Sequence, residues 1–289
     1  MSIKIGVIGL GEAGGSIAAG LKQAGADVTG FDARLDIPAV RSRAEGLGIH
    51  IAPTLAELAE RSNIILCLTH ASSAVSVARE ISPHLLPQHV YSDWNSGGPK
   101  LKKEVANAIA SSGAAFVDGA VMSAVVPLGH KVQVLLSGSG ADKFIEATQG
   151  IGMNLEVVGE NPGDASAMKM LRSMLVKGLE ALILEFLITA RQFSAEEKVL
   201  SQLNGTLPMH DWNELAARLA SRSFQHGRRR AQELGQVAET LREVGIEPMV
   251  IAGAEKRLTW FADKELYAEG DEVLTGYAEI LDRIEGNRG

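Results

Sequence analysis

The sequence has few of the residues that build disulfide frameworks, metal clusters or polyanion-binding surfaces. A single cysteine, Cys67, in 289 residues excludes an internal disulfide framework, and its apolar surroundings predict a buried core thiol. The net charge of −7 and the absence of a long basic tract argue against nucleic acid or anionic membrane partners, which require lysine and arginine to replace phosphate counterions. The seven histidines include no i, i+4 pair around an acid, so no metal motif is indicated.

Long hydrophobic runs are also missing. The most apolar long stretch, residues 174–190, is interrupted by Lys177, Glu180 and Glu185, which predicts a buried helix and not a membrane span. The N-terminus begins on a strand and lacks a signal-peptide pattern, so a cytoplasmic protein is expected. Hydrophobic residues make up 46% of the chain, enough for sizeable cores, and the length predicts about two domains.

The first 34 residues carry a pattern typical of dinucleotide binding. An apolar strand at residues 3–8 leads into a glycine turn at residues 9–14, a helix, and a second strand that ends at Asp32. In such a turn one glycine makes the tight bend, one lets the backbone approach a pyrophosphate, and one allows close packing of helix on strand. The helix N-terminus offers free N–H groups to the phosphates. We therefore predict that the turn binds the cofactor through Gly9, Gly11, Glu12, Ala13 and Gly14.

Two further residues bear on the choice between NAD and NADP. Asp32 follows Gly14 by 18 residues, where a carboxylate accepts hydrogen bonds from the ribose hydroxyls and repels a 2′-phosphate. Asp32 therefore favours NAD. Arg34 could instead pair with that phosphate, which keeps NADP open, or it could be a solvated loop residue.

Strand-like and helix-like segments alternate through the first half of the chain. Strands are predicted at residues 48–52, 63–68, 89–93, 114–121, 131–137 and 154–158, with helices between them at 38–45, 54–61, 72–81, 100–111 and 141–149. This alternation is typical of a doubly wound parallel sheet, a Rossmann-type α/β fold. Helical periodicity then dominates over 164–192, 211–222, 226–244, 248–265 and 272–284. We expect a dinucleotide-binding domain at residues 1–161 and an all-helical substrate and dimerisation domain at 162–289.

Polar residues stand where the predicted strands end. In open α/β sheets the ligand lies outside the carboxyl ends of the strands. Thr69 and His70 follow one strand, residues 93–98 a second and residues 122–124 a third. Asn95 could hydrogen-bond a ribose or nicotinamide amide, or it could cap the following helix. Thr69 is a candidate cofactor ligand, and His70 is interpreted as a loop residue with a general base as its alternative.

The predicted helix from residue 164 is apolar almost all round, yet it carries a polar stripe. At 100° per residue Lys169, Ser173 and Glu180 share one face, flanked by Arg172 and Lys177. Burial of ionised groups is costly, so we expect the stripe to line a cleft. Desolvation and neighbouring cations would favour the neutral form of Lys169, which could act as a general base. The alternative is a lysine that extends along the surface at a helix start.

A basic cluster opens a later helix. Arg228, Arg229 and Arg230 are consecutive, and arginine binds carboxylate or phosphate in a bidentate fork. The cluster could therefore hold an anionic substrate. Equally, Arg229 and Arg230 could pair with Glu233 on a solvated helix face.

Four segments in order resemble the β-hydroxyacid dehydrogenase superfamily, which includes 6-phosphogluconate and 3-hydroxyisobutyrate dehydrogenases. The first segment is the glycine turn at residues 9–14. The second, residues 93–99, is similar to D-x-S-T…P. The third, residues 118–124, is similar to D-A-P-V-S-G-G, and the fourth, residues 163–173, is similar to G-x-x-x-x-x-K-x-x-x-N. The resemblance covers about residues 1–185 and implies Lys169 as the catalytic lysine. Residues 190–289 resemble the helical C-terminal domain of a poorly characterised phosphogluconate-dehydrogenase-like branch.

The sequence departs from the family pattern in its substrate segment. Met122, Ser123 and Ala124 stand where the family has a serine and two glycines, and Ser173 stands where it has an asparagine. The resemblance therefore implies the fold and the cofactor but not the identity of the substrate. The candidate substrate-binding residues are Met122, Ser123, Ala124, Arg172, Ser173, Arg228 and Arg229.

Together these features predict an NAD(P)-dependent oxidoreductase acting on a small, carboxylated 3-hydroxy substrate, with Lys169 as general acid or base. Decarboxylation would follow where a β-keto acid forms with its carboxylate attached. The resembling dehydrogenases dimerise through their C-terminal domains, which implies a homodimer. The alternatives are an imine reductase on the same scaffold, in which the catalytic lysine is usually absent, and a non-catalytic cofactor-binding sensor.

Overall fold

The fold is known from a computed structural model that describes residues 2–206, 211–267 and 274–286. The chain divides into two compact units, Met1–Lys169 and Met170–Gly289. The boundary predicted between residues 161 and 162 lies slightly earlier. The difference arises because the first turns of one long helix, which begins at Asp164, pack within the first unit.

An eight-stranded sheet forms the centre of the first unit. Its strands are β1 (Lys4–Ile8), β2 (Asp27–Phe31), β3 (His50–Ile51), β4 (Ile64–Cys67), β5 (Val90–Asp93), β6 (Ala115–Val121), β7 (Gln133–Ser137) and β8 (Asn154–Gly159). Their spatial order is β3-β2-β1-β4-β5-β6-β7-β8. The strand order reverses between β1 and β4, and nucleotides bind at such a switch point.

Helices cover both faces of this sheet, which confirms the Rossmann-type prediction. They are α1 (Glu12–Gln23), α2 (Pro38–Gly46), α3 (Leu55–Glu60), α4 (Ala74–Ile81), α5 (Pro99–Ile109), the short α6 (Val125–Leu128) and α7 (Ala141–Ala147). Side chains of a strand alternate between faces, so Ile64 and Leu66 enter one hydrophobic core while Ile65 and Cys67 enter the other. Cys67 is fully buried, as its apolar run predicted.

The last two strands correct the expectation of a wholly parallel sheet. β7 pairs antiparallel with β6, and β8 then pairs parallel with β7. Parallel neighbours need a long crossover, usually a helix. The segment between β6 and β7 contains only the four-residue α6 and a single 3-10 turn, so the chain returns antiparallel.

The second unit is helical over the residues that the structure describes. Its helices are the remainder of α8 (Asp164–Arg191), then α9 (Glu196–Thr206), α10 (Trp212–Glu243), α11 (Met249–Ala262) and α12 (Tyr277–Gly286). The sequence did not predict α9, and it divided α10 in two near His226, where the backbone leaves helical geometry (φ −131°, ψ 19°). Part of the helix predicted at 272–284 lies outside the described residues. Among the helices described, none combines the length and the apolar character needed to cross a membrane.

Candidate active site

The glycine turn between β1 and α1 has the geometry that a phosphate cradle requires. Gly9 has a φ of +92°, and a Cβ on it would overlap the Leu68 carbonyl oxygen. A Cβ on Gly14 would overlap the Gly9 carbonyl oxygen, so this glycine permits the close packing of helix on strand. Beside Gly11 there is open space within 4 Å. The backbone is thus exposed to a ligand at the N-terminus of α1, where N–H groups favour anions.

A cavity of about 450 Å³ lies over this turn at the switch point of the sheet. Its lining brings together eight of the nine residues predicted to bind the cofactor, namely Gly9, Gly11, Glu12, Ala13, Gly14, Asp32, Arg34 and Thr69. The ninth, Asn95, is not part of the lining. The geometry therefore groups the candidate cofactor residues, and their individual roles stay predictions.

Asp32 is buried at the end of β2 and is held by the glycine turn. Its Oδ2 accepts the backbone N–H of Leu10 at 2.8 Å, and its Oδ1 accepts the backbone N–H of Arg34 at 2.9 Å. The Arg34 guanidinium lies 3.7 Å from the same carboxylate, with 63% of its side chain exposed. A carboxylate so fixed is ready to receive ribose hydroxyls, while Arg34 offers a cation at the same edge.

Thr69 and His70 follow β4 at the rim of the cavity. The His70 ring lies 2.8 Å from the Ser72 hydroxyl and accepts the Ser72 backbone N–H, so it caps the short 3-10 turn at Ala71–Ser73. This local contact is consistent with the interpretation of His70 as a loop residue. The Thr69 hydroxyl donates to Asn95 Oδ1 at 3.4 Å.

One interpretation of the sequence was that Asn95 caps the following helix, and the structure shows that it does not. Gly98 occupies that cap position, and no side chain bonds the helix end there. The Asn95 side chain is buried and donates instead to Asp93 and, at 3.4 Å, to the Cys67 sulfur. Burial raises the pKa of the Cys67 thiol, and the nearby Asp93 carboxylate raises it further.

A fully buried lysine stands behind these residues. Lys102 Nζ lies 2.6 Å from Asp93 Oδ2 and 3.3 Å from Asp118 Oδ1, and it donates to the backbone carbonyls of Asp93 and Asn95 at 2.8 Å. Asp93 and Asp118 are register partners on β5 and β6, so the ammonium neutralises part of their repulsion. Burial by itself would lower the pKa of Lys102, but the two carboxylates outweigh it and raise that pKa above its ordinary value.

Lys102 is not among the residues predicted from the sequence, although the sequence carries a signal for its burial. Helix α5 has lysines at positions 100, 102 and 103, and charge by itself does not distinguish them. Only Lys102 shares the i, i+3, i+7 spacing of the buried Val105 and Ile109. A lysine on the apolar face of a helix, with aspartates in two neighbouring apolar strands, indicates a buried ion pair.

Lys169 is half-buried on α8, and the start of that helix is fastened to the sheet. The Asp118 carboxylate accepts the Ser166 backbone N–H at 2.9 Å and the Ser166 hydroxyl at 2.8 Å. The Ser137 hydroxyl accepts the Ala165 backbone N–H at 3.0 Å. Two N–H groups of the first turn, which have no partner within the helix, are thereby satisfied from β6 and β7.

The candidate substrate segment directly follows β6. Met122 donates its backbone N–H to the Gln133 carbonyl at 2.9 Å, and the side chains of Ser123 and Ala124 are exposed. Arg172 and Ser173 belong to the second unit, where Ser173 Oγ accepts a hydrogen bond from Lys177 at 3.0 Å.

Glu180 corrects the prediction that the polar stripe of α8 lines a cleft throughout its length. Its carboxylate is fully buried in the helical unit, 2.5 Å from Arg230 and 3.7 Å from Arg222. Burial raises the pKa of Glu180, and the arginines counter that shift only in part. Lys177, on the same helix, pairs with Glu233 at 3.1 Å within the helical unit.

The arginine cluster divides into residues with different surroundings. Arg230 is buried and pairs with Glu180. The interpretation of the cluster as a solvated helix face required a pairing with Glu233 instead, so for Arg230 that interpretation is wrong. Arg228 is exposed and contacts Asp263 at 3.0 Å. Arg228 and Arg229 line a cavity of about 640 Å³ within the helical unit. Their role in substrate binding stays a prediction.

Comparison with known families identifies the chain. The family model for the NAD-binding domain of 6-phosphogluconate dehydrogenase matches residues 4–151, just over half of the chain. The chain belongs to this family. A second family model, a domain of unknown function called DUF1932, matches residues 190–261. The resemblance to the β-hydroxyacid dehydrogenase superfamily is thereby confirmed, and the protein is a member with a nicotinamide-binding domain.

Relatives of this dehydrogenase-family chain extend over most of its length. A conserved hypothetical protein of Sinorhizobium meliloti is 36% identical, with a TM-score of 0.87 over 99% of this chain and 97% of its own. The conserved protein MTH1747, described as similar to 3-hydroxyacid dehydrogenases, is 31% identical, with a TM-score of 0.79 over 91% of this chain and 98% of its own. An NADPH-dependent reductive aminase of Aspergillus oryzae is 25% identical over 72% of this chain and 70% of its own.

Proposed function

We propose that the protein is an NAD(P)-dependent dehydrogenase that moves a hydride between a nicotinamide cofactor and a small, carboxylated 3-hydroxy substrate. The observation that carries the proposal is the anchoring of α8. Asp118, at the carboxyl edge of the sheet, binds Ser166, and Lys169 follows Ser166 by one helical turn. This anchoring supports a position for Lys169 near the sheet edge on which ligands of this fold bind.

The residues present fit a dinucleotide at the switch point. The space beside Gly11 and the free N-terminus of α1 suit a pyrophosphate. The fixed Asp32 carboxylate suits the ribose hydroxyls, so NAD is the favoured cofactor, with Arg34 as the residue that would accept the 2′-phosphate of NADP. Asn95 reaches this site through Thr69.

In the proposed reaction Lys169 is the general acid or base that exchanges a proton with the substrate hydroxyl. The nicotinamide, when bound, supplies a hydride acceptor or donor. In the oxidative direction neutral Lys169 would accept the proton of the substrate hydroxyl at Nζ. The carbon that bears this hydroxyl would give its hydride to the nicotinamide, so that the alcohol becomes a ketone or aldehyde. In reduction the Lys169 ammonium returns that proton. A positioned general acid or base contributes about 10²- to 10⁴-fold to the rate.

The substrate side of the site is proposed from the residues around it. Met122, Ser123 and Ala124 would contact the substrate at the end of β6, and Arg172, Ser173, Arg228 and Arg229 would bind its anionic groups. A charged guanidinium binds a carboxylate in a bidentate fork. We further propose that the functional form is a homodimer through the helical domain.

The deciding experiment measures oxidation with NAD⁺ and NADP⁺ on a panel that includes 3-hydroxyisobutyrate and 6-phosphogluconate. Lys169→Met should lower kcat by two or more orders of magnitude with little change in cofactor affinity. Lys103→Met, an exposed lysine of α5, is the matched control and should keep wild-type turnover. Turnover by Lys169→Met near the wild-type rate would show that the base lies elsewhere, and His70 would be the next residue to test.

A reductive amination activity is the second candidate, favoured by the 25% identity to the fungal reductive aminase. Its test is NADPH consumption with cyclohexanone and methylamine. Activity in this assay alone, with no hydroxy acid oxidised, would select the imine-reducing alternative. Cofactor binding without turnover of any substrate in either assay would select the sensor.

A further inference from the structure

One buried ammonium group contacts the last residue of β5 and the middle residue of β6, two strands that the proposed function uses. Lys102 extends from α5 to β5 and β6, where its Nζ lies within 3.3 Å of oxygens of Asp93, Asn95 and Asp118. The side chains of Lys102 and both aspartates have no exposed surface. A buried charge is tolerated only where it is paired and hydrogen-bonded, so these oxygens determine where the ammonium lies.

From Asp118 the contacts continue to the helix that carries Lys169. Both Asp118 oxygens bind Ser166, one through its backbone N–H and one through its hydroxyl. Lys169 follows Ser166 by three residues, so the two lie on one face of α8 about a turn apart. A displacement of the Asp118 carboxylate would therefore displace the start of this helix and Lys169 with it.

From Asp93 the contacts continue to the dinucleotide cavity. The Asp93 carboxylate accepts the side-chain amide of Asn95, and Asn95 Oδ1 accepts the hydroxyl of Thr69, which lines the cavity. Asp93 and Asp118 face each other across neighbouring strands, and like charges so placed repel each other. The Lys102 ammonium between them offsets this repulsion.

We propose that Lys102 is a positioning residue, whose ammonium joins the strand end behind Thr69 and Asn95 to Asp118 and thereby to the helix start that carries Lys169. The inference rests on the proposed function for the chemical role of Lys169. The hydrogen bonds and ion pairs of Lys102 go to Asp93, Asn95 and Asp118, which are neither in the cavity lining nor in the candidate substrate segment, so its effect on turnover is indirect. A displacement of about 1 Å in a reacting group can lower a rate about 100-fold.

The first test measures the helix start itself and needs no substrate. Asp118→Asn leaves Lys102 paired one to one with Asp93, and Ser166→Ala removes a single hydroxyl without a change of charge. Hydrogen–deuterium exchange of the peptide that covers residues 164–170 should be faster in both variants. The control is Ser62→Ala, which loses an equally buried hydroxyl bond, to the Leu58 carbonyl at 2.6 Å, and should exchange like wild type in this peptide. Exchange unchanged in Asp118→Asn and Ser166→Ala overturns the inference.

The second test separates positioning from a purely structural role. With the hydroxy acid of the panel that turns over fastest, kcat should fall about 100-fold in Asp118→Asn and about tenfold in Ser166→Ala, while the KM for the cofactor stays within about twofold. Ser166→Thr keeps the hydroxyl and should restore kcat. Lower thermal stability with unchanged kcat in both variants would overturn the inference. Full turnover by Lys169→Met would overturn the proposed function instead, and the exchange measurement would still decide whether Asp118 holds the helix start.

Discussion

Removal of the Lys102 charge should strongly destabilise the first unit. Lys102→Met keeps the length and most of the apolar contacts of the side chain, but it leaves Asp93 and Asp118 buried and facing each other without a cation. Loss of one partner of a buried ion pair costs about 3–5 kcal/mol. Since domains are stable by about 5–15 kcal/mol, the variant should be folded but close to marginal.

Urea unfolding at pH 7, followed by circular dichroism, measures this difference. Lys103→Met is the control, because an exposed lysine of the same helix should change the free energy of unfolding by no more than about 0.5 kcal/mol. Asp118→Asn should cost less than Lys102→Met, because Lys102 keeps Asp93 as its partner.

The pH dependence of the two proteins should also differ. The folded-state pKa of Lys102 is raised, so its stabilising contribution is complete below the ordinary lysine value and is lost only as the pH rises through the raised value. Between pH 6 and 9 this contribution to wild-type stability is therefore constant. Because Lys102→Met has no ammonium to lose, the difference in stability between the two proteins should stay constant over that range and shrink only at more alkaline pH. A loss below about 1 kcal/mol at pH 7, or a stability difference that changes between pH 6 and 9, would refute the reasoning.

Three further variants test other parts of the structure. Gly14→Ala should weaken NADH binding at least about tenfold in a fluorescence titration, because its Cβ would overlap the Gly9 carbonyl, whereas Gly46→Ala, with open space around it, should bind like wild type. Asp32→Ala should reduce the preference for NAD(H) over NADP(H), and a wild-type preference for NADP(H) would contradict the assignment. Arg230→Ala removes the buried partner of Glu180 and leaves it the exposed Arg222 at 3.7 Å, so it should cost about 3–5 kcal/mol in urea unfolding. The exposed Arg229→Ala should cost much less, and equal losses would refute the buried pair.

Several elements of the fold could be predicted from the sequence because their causes are local. The turn at residues 9–14 needs glycine at given positions, and the alternation of β-branched strands with amphipathic helices needs only the hydrophobic period. Helix α9 was missed because its apolar pattern is short: over residues 196–203, whose burial is described, Leu200 alone is fully buried. The antiparallel β7 was missed because strand direction depends on the length and shape of the preceding connection.

The sequence by itself determined the Rossmann architecture, the glycine cradle and the candidate Lys169, since each is encoded within a few neighbouring residues. Only the tertiary structure decided which charges are buried and with which partners. Glu180 and Arg230 are 50 residues apart, and Asp118 and Ser166 are 48 apart. Periodicity places a side chain on a face of its own helix or strand, but not the element that packs against that face. For that reason the partners of Lys102 were known only when α5, β5 and β6 were brought together.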